Sequence, residues 1–447
     1  MKNCIGIRRE DKDSIERRAP LTPGQVRKLI TEHQIRVIVE PSPSRIFTEE
    51  EYRQAGAEIN EDLRACNLIF GIKEIPLPSL QPNLTYCFFS HTIKAQPYNM
   101  PMLKKMMELA DTLLDYELVK NKEGRRTIYF GNYAGYAGMI DSLWALGQRL
   151  LWEGIDNPFK VIQPAHRYQS LKEAEAAVRA VGKEIRKHGL PEPLVPFITG
   201  FTGYGQVSRG AQAIYDQLNG IQLQPDELPT FIRSGKFSSG TVYKVEFRKP
   251  DMFEPIEQEV SVREFTWYEF NRYPERYRGK LEKYIPFLTM LVNGIYWEPR
   301  FPRLLSNEFL KQLFQEEPQP RLRVIGDITC DIQGSIEATV KATNSKNPVY
   351  VFDPLTGEVS DGWAGRGPVI MAVDKLPTEL PREASEFFGS KLMPYIPALA
   401  AADFRTPLEE LNLPPEFRKA VILLRGELTP PFEYLRNAVE AVGKGDT

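Results

Sequence analysis

Residues 194–218 read LVPFITGFTGYGQVSRGAQAIYDQL, and this stretch decides the fold. Val195, Phe197 and Ile198 open it as a short apolar run of β-forming side chains, the pattern of a buried strand. Gly200, Gly203 and Gly205 follow, and from Gln206 the apolar residues Val207, Ala211, Ile214 and Leu218 recur at helical spacing. Strand, glycine turn and helix in that order let backbone N–H groups at a helix N-terminus meet a phosphate. The same order also makes an ordinary tight turn. Ser208 stands where the third glycine of GxGxxG belongs, with Gly210 close by. The rest of the chain has to distinguish the two.

At 447 residues the chain is long enough for two or three domains, and its apolar and charged fractions are ordinary for a soluble globular protein. A net charge of −2 supplies no basic field for nucleic acid or an anionic membrane. No run of about 18 apolar residues marks a membrane span, and the N-terminal MKNCIGIRREDKDS meets charge too early for a secretory signal. Cys4, Cys66, Cys87 and Cys330 are scattered, and His33, His91, His166 and His188 lack ligand spacing. A cytoplasmic protein without a metal is the expectation.

Outward from the glycine turn, strands alternate with helices. Residues 4–8, 35–40, 67–72, 86–90 and 112–116 read as strands. Thr22-Pro23 and Thr48 start two of the helices between them, and MPMLKKMMELAD another. That alternation predicts an α/β protein with parallel, doubly wound sheets. A first domain ends near residue 131, a long helix spans 132–154, and its early Gly135 and Gly138 allow close backbone approach, as at a domain junction. Ser170 and Glu173 form a capping box before the second α/β domain, whose later strands fall at 289–296, 322–329, 349–352 and 367–373. The aromatic and charged stretch at about 225–283 reads as an insertion, and a helix beginning near 378–381 returns to complete the first domain. The expected domains are 1–131 with about 378–447 for substrate and 132–377 for the dinucleotide, with the active site in a cleft between two Rossmann-like domains.

Open α/β sheets bind ligands at the carboxyl ends of their strands. Lys73 and Glu74 follow NLIFGI, His91 follows TYCFFS, and Glu117 follows TLLDY. Arg17 and Arg18 lie after the first strand, and Arg125 and Arg126 precede TIYFG. Strand-end loops hold solvated charges routinely, so the grouping is more informative than any member. It suits a small polyanionic substrate, since the arginine fork holds carboxylates, and histidine or a crowded lysine exchanges protons near neutral pH. DITCD, with Asp327 and Asp331, closes a strand of the second domain, where either carboxylate could bond a ribose or the substrate or simply cap a turn.

ERRAPLTP (16–23), GIKEIP (71–76), FFSHTIKAQ (88–96), DYEL (115–118), GRRTIYFGNYAGYAGM (124–139), NGIYWE (293–298), GDITCD (326–331) and LPREASEFF (380–388) resemble the saccharopine dehydrogenase and lysine-ketoglutarate reductase group. That group sits with alanine dehydrogenase and the transhydrogenase nucleotide subunit. The motifs run in order along nearly the whole chain and resemble most the lysine-ketoglutarate reductase half of bifunctional aminoadipic semialdehyde synthase. The resemblance implies reductive condensation of the lysine ε-amine with 2-oxoglutarate to saccharopine, using NADPH (or NADH). It puts the acid/base pair on Lys73 and His91 and the substrate carboxylates on Arg18, Arg125 and Arg126. Gln96, Glu117 and Phe130 line the site, Glu74 tunes the lysine, and Asp331 sits beside nicotinamide and substrate. Gly200, Gly203, Tyr204, Gly205, Ile295, Tyr296 and Asp327 fall to the cofactor.

One departure concerns the ribose. The acid that grips it is expected to end the strand after the glycine helix, where Gln224 stands in IQLQPDEL. A missing acid leans toward a 2′-phosphate. Saccharopine oxidation in the lysine-forming direction, another amine and keto acid pair, or an inactive nucleotide-binding regulator are the alternatives. Partners are small molecules, with neither nucleic acid nor membrane expected.

Overall fold

The computed structural model describes residues 3–12, 15–256 and 265–442. The chain divides into two compact units, Met1–Phe130 with Pro381–Thr447, and Gly131–Leu380.

The first unit is built on strands β1 (Cys4–Ile7), β2 (Arg36–Val39), β3 (Glu58–Ile59), β4 (Leu68–Phe70), β5 (Thr85–Phe88) and β6 (Thr112–Asp115). Helices α1 (Pro23–His33), α2 (Glu49–Gln54) and α3 (Met100–Glu108) lie between them in the chain. The sheet order is β6-β5-β4-β1-β2-β3, all parallel. Val421–Leu424 adds antiparallel to β6, and Glu427–Leu428 forms the edge beyond it. Helices α1 and α2 begin as the sequence implies, each with a complete capping box, Thr22 with Gln25 and Thr48 with Glu51. The strands are nearly continuous apolar runs because both faces are covered, with Ile5, Ile7, Leu68, Phe70 and Phe88 all fully buried. Helix Pro381–Leu392 belongs to this unit: Ser385 Oγ accepts from the Ala19 N–H at 2.9 Å, and Phe388 stacks on Phe130 with ring centres 4.7 Å apart.

The second unit contains helices α4 (Tyr133–Trp152), α5 (Leu171–His188) and α6 (Gln206–Tyr215). Its strands are β7 (Phe197–Thr202), β8 (Ile221–Leu223), β9 (Val242–Phe247), β10 (Phe253–Pro255), β11 (Tyr277–Gly279), β12 (Met290–Asn293), β13 (Val324–Asp327), β14 (Val349–Phe352), β15 (Val359–Asp361) and β16 (Val369–Met371). Its main sheet runs β15-β14-β16-β13-β12-β7-β9-β8, and β10 pairs with β11 apart from it. The α/β class and the two large, mostly parallel sheets are those expected.

Two particulars differ from the sequence reading. The stretch 225–283 is not all insertion, because β9 comes from within it and pairs with β7 over six residues, one strand in from the sheet edge. Its residues 257–264 lie outside the described residues. The strand directly after α6, β8, is pushed to the edge. Second, the small residues of α4 serve contacts inside this unit. A Cβ on Gly135 would stand 2.0 Å from the Val207 carbonyl oxygen of α6, and one on Gly210 of α6 would stand 2.4 Å from that of Asn132. Two helices packed backbone to backbone leave no room for either methyl group.

Candidate functional site

In the first sheet the chain runs outward from β1 to β2 and β3, then crosses back to β4, β5 and β6 on the other side. The carboxyl ends of β1 and β4 therefore flank a topological switch point, where open α/β sheets leave a crevice. Glu10 follows β1, and its two carboxylate oxygens accept from the backbone N–H groups of Ile72 (2.6 Å) and Lys73 (2.9 Å) just beyond β4. Burial, with the charge of Glu16 beside it, pushes the Glu10 carboxyl up to about 7. Glu16 is itself buried and takes a two-pronged bond from Arg18, Nε at 2.7 Å and Nη2 at 2.6 Å. Burial opposes its charge, but the guanidinium, with help from the Lys73 ammonium, holds it below the usual carboxylate range. The Arg18 guanidinium also lies 3.9 Å from the centre of the Phe130 ring.

Lys73 is half-buried at the end of this strand, and Glu74 next to it is buried. Glu74 Oε1 gathers three donors: Lys12 Nζ at 2.7 Å, Asn99 Nδ2 at 3.3 Å and, with its proton on Nδ1, His91 at 2.9 Å. Burial would raise this carboxyl, yet the bonds from His91 and Lys12 outweigh it and hold Glu74 well below the ordinary range. His91 sits three residues past β5 in left-handed backbone geometry, φ +48°, and is a third exposed. That conformation is uncommon for a side-chain-bearing residue, and Asn99 Nδ2 supports it by donating to the carbonyls of Ser90 and His91, each at 3.1 Å. Below it, Asp115 at the end of β6 accepts from the Ser90 N–H and hydroxyl, and from the Glu117 N–H at 2.7 Å.

The other expected substrate residues divide. Glu117 is paired with Arg126 Nη2 at 2.8 Å. Arg125 is the exception, three-quarters exposed on a hairpin turn, with Glu123 at 3.6 Å from its guanidinium. Side chains alternate across that hairpin, so of two adjacent arginines only Arg126 turns toward Glu117. Gln96 is half-buried and accepts from the Lys94 N–H at 3.1 Å, closing its own loop. Glu10, Lys12, Glu16 and Asn99 were not singled out by the sequence. The loop IRREDKDSIERR offers four acids with nothing local to rank them, and Asn99 is hidden in a turn.

The second sheet has its own switch point between β7 and β12. Gly203 is there, at φ +77°, and a Cβ on it would come 2.9 Å from Ile295 Cγ2. Gly205 is the N-cap of the ten-residue α6 with no side chain bonded across the helix start, and a Cβ there would meet nothing within 4 Å. Uncapped N–H groups at an open helix start fit a pyrophosphate. A cavity of about 240 Å³ adjoins this turn, lined by Tyr204, Ile295 and Tyr296 together with Lys249 and Trp267. The residues present thus fit a dinucleotide.

Three expected cofactor residues have other roles. Gly200 is inside β7, where a Cβ would stand 2.7 Å from both Leu288 and Phe247; packing requires it, not a phosphate. Asp327 is fully buried and accepts from Asn293 Nδ2 (2.9 Å) and the hydroxyls of Thr329 and Thr339 (both 2.6 Å), so its oxygens tie the strand ends together. Gln224 is exposed at the end of the edge strand and starts a helical turn with Glu227. Asp331 is half-buried, with its carboxyl raised by burial and then by Asp327. Among the described residues, no cluster could hold a metal ion, and no helix is long and apolar enough to cross a membrane.

Comparison with known proteins adds ancestry to this geometry. Residues 6–137 match the family described as alanine dehydrogenase/PNT, N-terminal domain. The chain is 39% identical over 445 residues to alpha-aminoadipic semialdehyde synthase of Arabidopsis thaliana, covering 96% of this chain and 41% of that protein. The mitochondrial alpha-aminoadipic semialdehyde synthase of Bos taurus is 36% identical over 458 residues, 98% of this chain and 48% of that one. The chain therefore spans a little under half the length of these relatives. A saccharopine dehydrogenase (NAD+, L-lysine-forming) of Neurospora crassa is 27% identical over 399 residues, 86% of this chain and 88% of that protein. An L-alanine dehydrogenase structure shares the fold, with a TM-score of 0.59 at 16% identity over 98% of this chain and 99% of that one. The chain carries a domain of the alanine dehydrogenase/PNT N-terminal family and is homologous, over nearly all its length, to the alpha-aminoadipic semialdehyde synthases and saccharopine dehydrogenases.

Proposed function

We propose that this protein is a saccharopine-forming reductase, which condenses the ε-amine of lysine with 2-oxoglutarate and reduces the resulting imine. The observation that carries this reading is the Glu74–His91 bond beside Lys73, at the end of β4 and next to the Arg18–Glu16 pair. A nicotinamide dinucleotide bound at the Gly203–Gly205 turn supplies the hydride.

Lys73, at the end of β4, takes the proton from the attacking amine. His91, held through Nδ1 by Glu74, presents Nε2 to the carbinolamine oxygen and protonates it as water leaves. Arg18 uses Nε and Nη2 on Glu16, which leaves Nη1 for a substrate carboxylate. Arg126 and Gln96 take the remaining carboxylates, and Phe130 supplies an apolar wall. Asp331 stands on the nicotinamide side.

Purified protein mixed with NADPH, lysine and 2-oxoglutarate is expected to consume the nucleotide and form saccharopine, followed by absorbance and mass spectrometry. Absence of turnover with lysine and with a panel of other amines would refute the enzyme reading. Turnover with a different amine only would move the substrate and keep the chemistry.

A further inference from the structure

Given the nucleotide site proposed above, we propose that Arg248 reads the 2′ position of the adenosine ribose and makes the site prefer a 2′-phosphorylated nucleotide. In an open α/β sheet the ribose is met by the residue ending the strand next to the glycine-turn strand. Here that neighbour is β9, in register from Phe197↔Val242 to Thr202↔Phe247. Its end is fastened to the turn, the Gly203 N–H donating to the Phe247 carbonyl at 2.9 Å. The ribose-reading position therefore falls at Phe247-Arg248 and not at Gln224, which ends the far edge strand.

The acids at that place are taken up by protein groups: Asp251 Oδ2 accepts from the Arg248 N–H at 2.8 Å. Glu246 points to the α6 side, is 16% exposed, and accepts from Gln212 Nε2 at 2.9 Å and Arg248 Nε at 3.0 Å. A carboxylate so occupied neither grips a ribose hydroxyl nor strongly repels a phosphate. Arg248 is two-thirds exposed, and its guanidinium lies 5.6 Å from the centre of the Tyr204 ring in the glycine turn itself. An exposed guanidinium with one edge held by Glu246 keeps an edge for a phosphate dianion. Lys249, the next residue, is differently placed. Its ammonium is 2.9 Å from the centre of the Trp267 ring and 4.9 Å from that of Phe270, so the aromatic rings already satisfy it. Of the two cations, Arg248 is the one offered.

Calorimetric binding of adenosine 2′,5′-bisphosphate and of 5′-AMP to the full chain tests this without turnover. The intact protein is expected to bind the bisphosphate roughly 10²-fold more tightly, from one bidentate charge-assisted contact. Arg248→Ser should collapse that ratio to within about threefold, and Arg248→Lys, which keeps charge but loses the fork, should fall between. Equal affinity for the two fragments, or an undiminished ratio in Arg248→Ser, overturns the assignment while leaving the nucleotide site standing. Failure of both fragments, and of NADP+ and NAD+, to bind overturns the nucleotide site as well.

Discussion

His91 Nδ1 lies 2.9 Å from Glu74 Oε1, and the same carboxylate oxygen is 2.7 Å from Lys12 Nζ. A buried carboxylate between a histidine and a lysine fixes the imidazole tautomer and leaves Nε2 facing outward. Under the proposed function Glu74 is the positioning residue, and His91, as the imidazolium with a second proton on Nε2, is the proton donor.

Replacing Glu74 with Gln keeps the shape and removes the charge that orients His91. Turnover is expected to fall roughly 10- to 10²-fold with KM changed little, and His91→Asn to fall by 10²-fold or more. Steady-state kinetics beside thermal melts separate this loss from unfolding. An unchanged kcat in both variants would remove the pair from the chemistry.

Glu10 carries a pH signature. Burial and Glu16 raise its carboxyl to about 7 in the folded chain, against an ordinary value of about 4.5. A raised folded-state value means the folded state binds the proton better, so Glu10 destabilises the fold as pH rises from about 4.5 to 7, by up to about 3 kcal/mol. Glu10→Gln should lose that slope. Urea melts of both proteins at intervals across the window are expected to show the intact chain losing stability relative to the variant, and parallel curves would refute the assignment.

Arg18 and Glu16 are both buried, and the guanidinium is the main support of the Glu16 charge. Arg18→Ala removes that support and is expected to cost about 3 kcal/mol, measured by denaturant unfolding. Replacing both with apolar residues should cost less than the single change, because no buried charge is then left unpaired.

Gly135→Ala tests the contact of α4 with α6. Its Cβ would stand 2.0 Å from the Val207 carbonyl oxygen, so the helices must part. Loss of about 3 kcal/mol or failure to fold is expected, whereas Gly205→Ala, which meets nothing within 4 Å, should melt within about 1 kcal/mol of the intact chain.

Much of this protein was decided locally, and there the sequence sufficed. Residues 194–218 fold as strand, glycine turn and helix because apolar periodicity, glycine and capping act over a few residues. The positions of Lys73, Glu74 and His91 just past β4 and β5 follow from the same short-range pattern. What the tertiary structure decided is which strands became neighbours and which loop residues met. Sheet pairing joins residues far apart in the chain, so nothing local announced that β9, drawn from an unassigned stretch, would displace β8 from beside β7. That exchange moves the ribose-reading position of the glycine turn from Gln224 to Arg248. Likewise Glu10 is one acid among several until the end of β4 presents it with two backbone N–H groups. Burial then selects it, because a buried donor pair requires an acceptor and solvent cannot supply one.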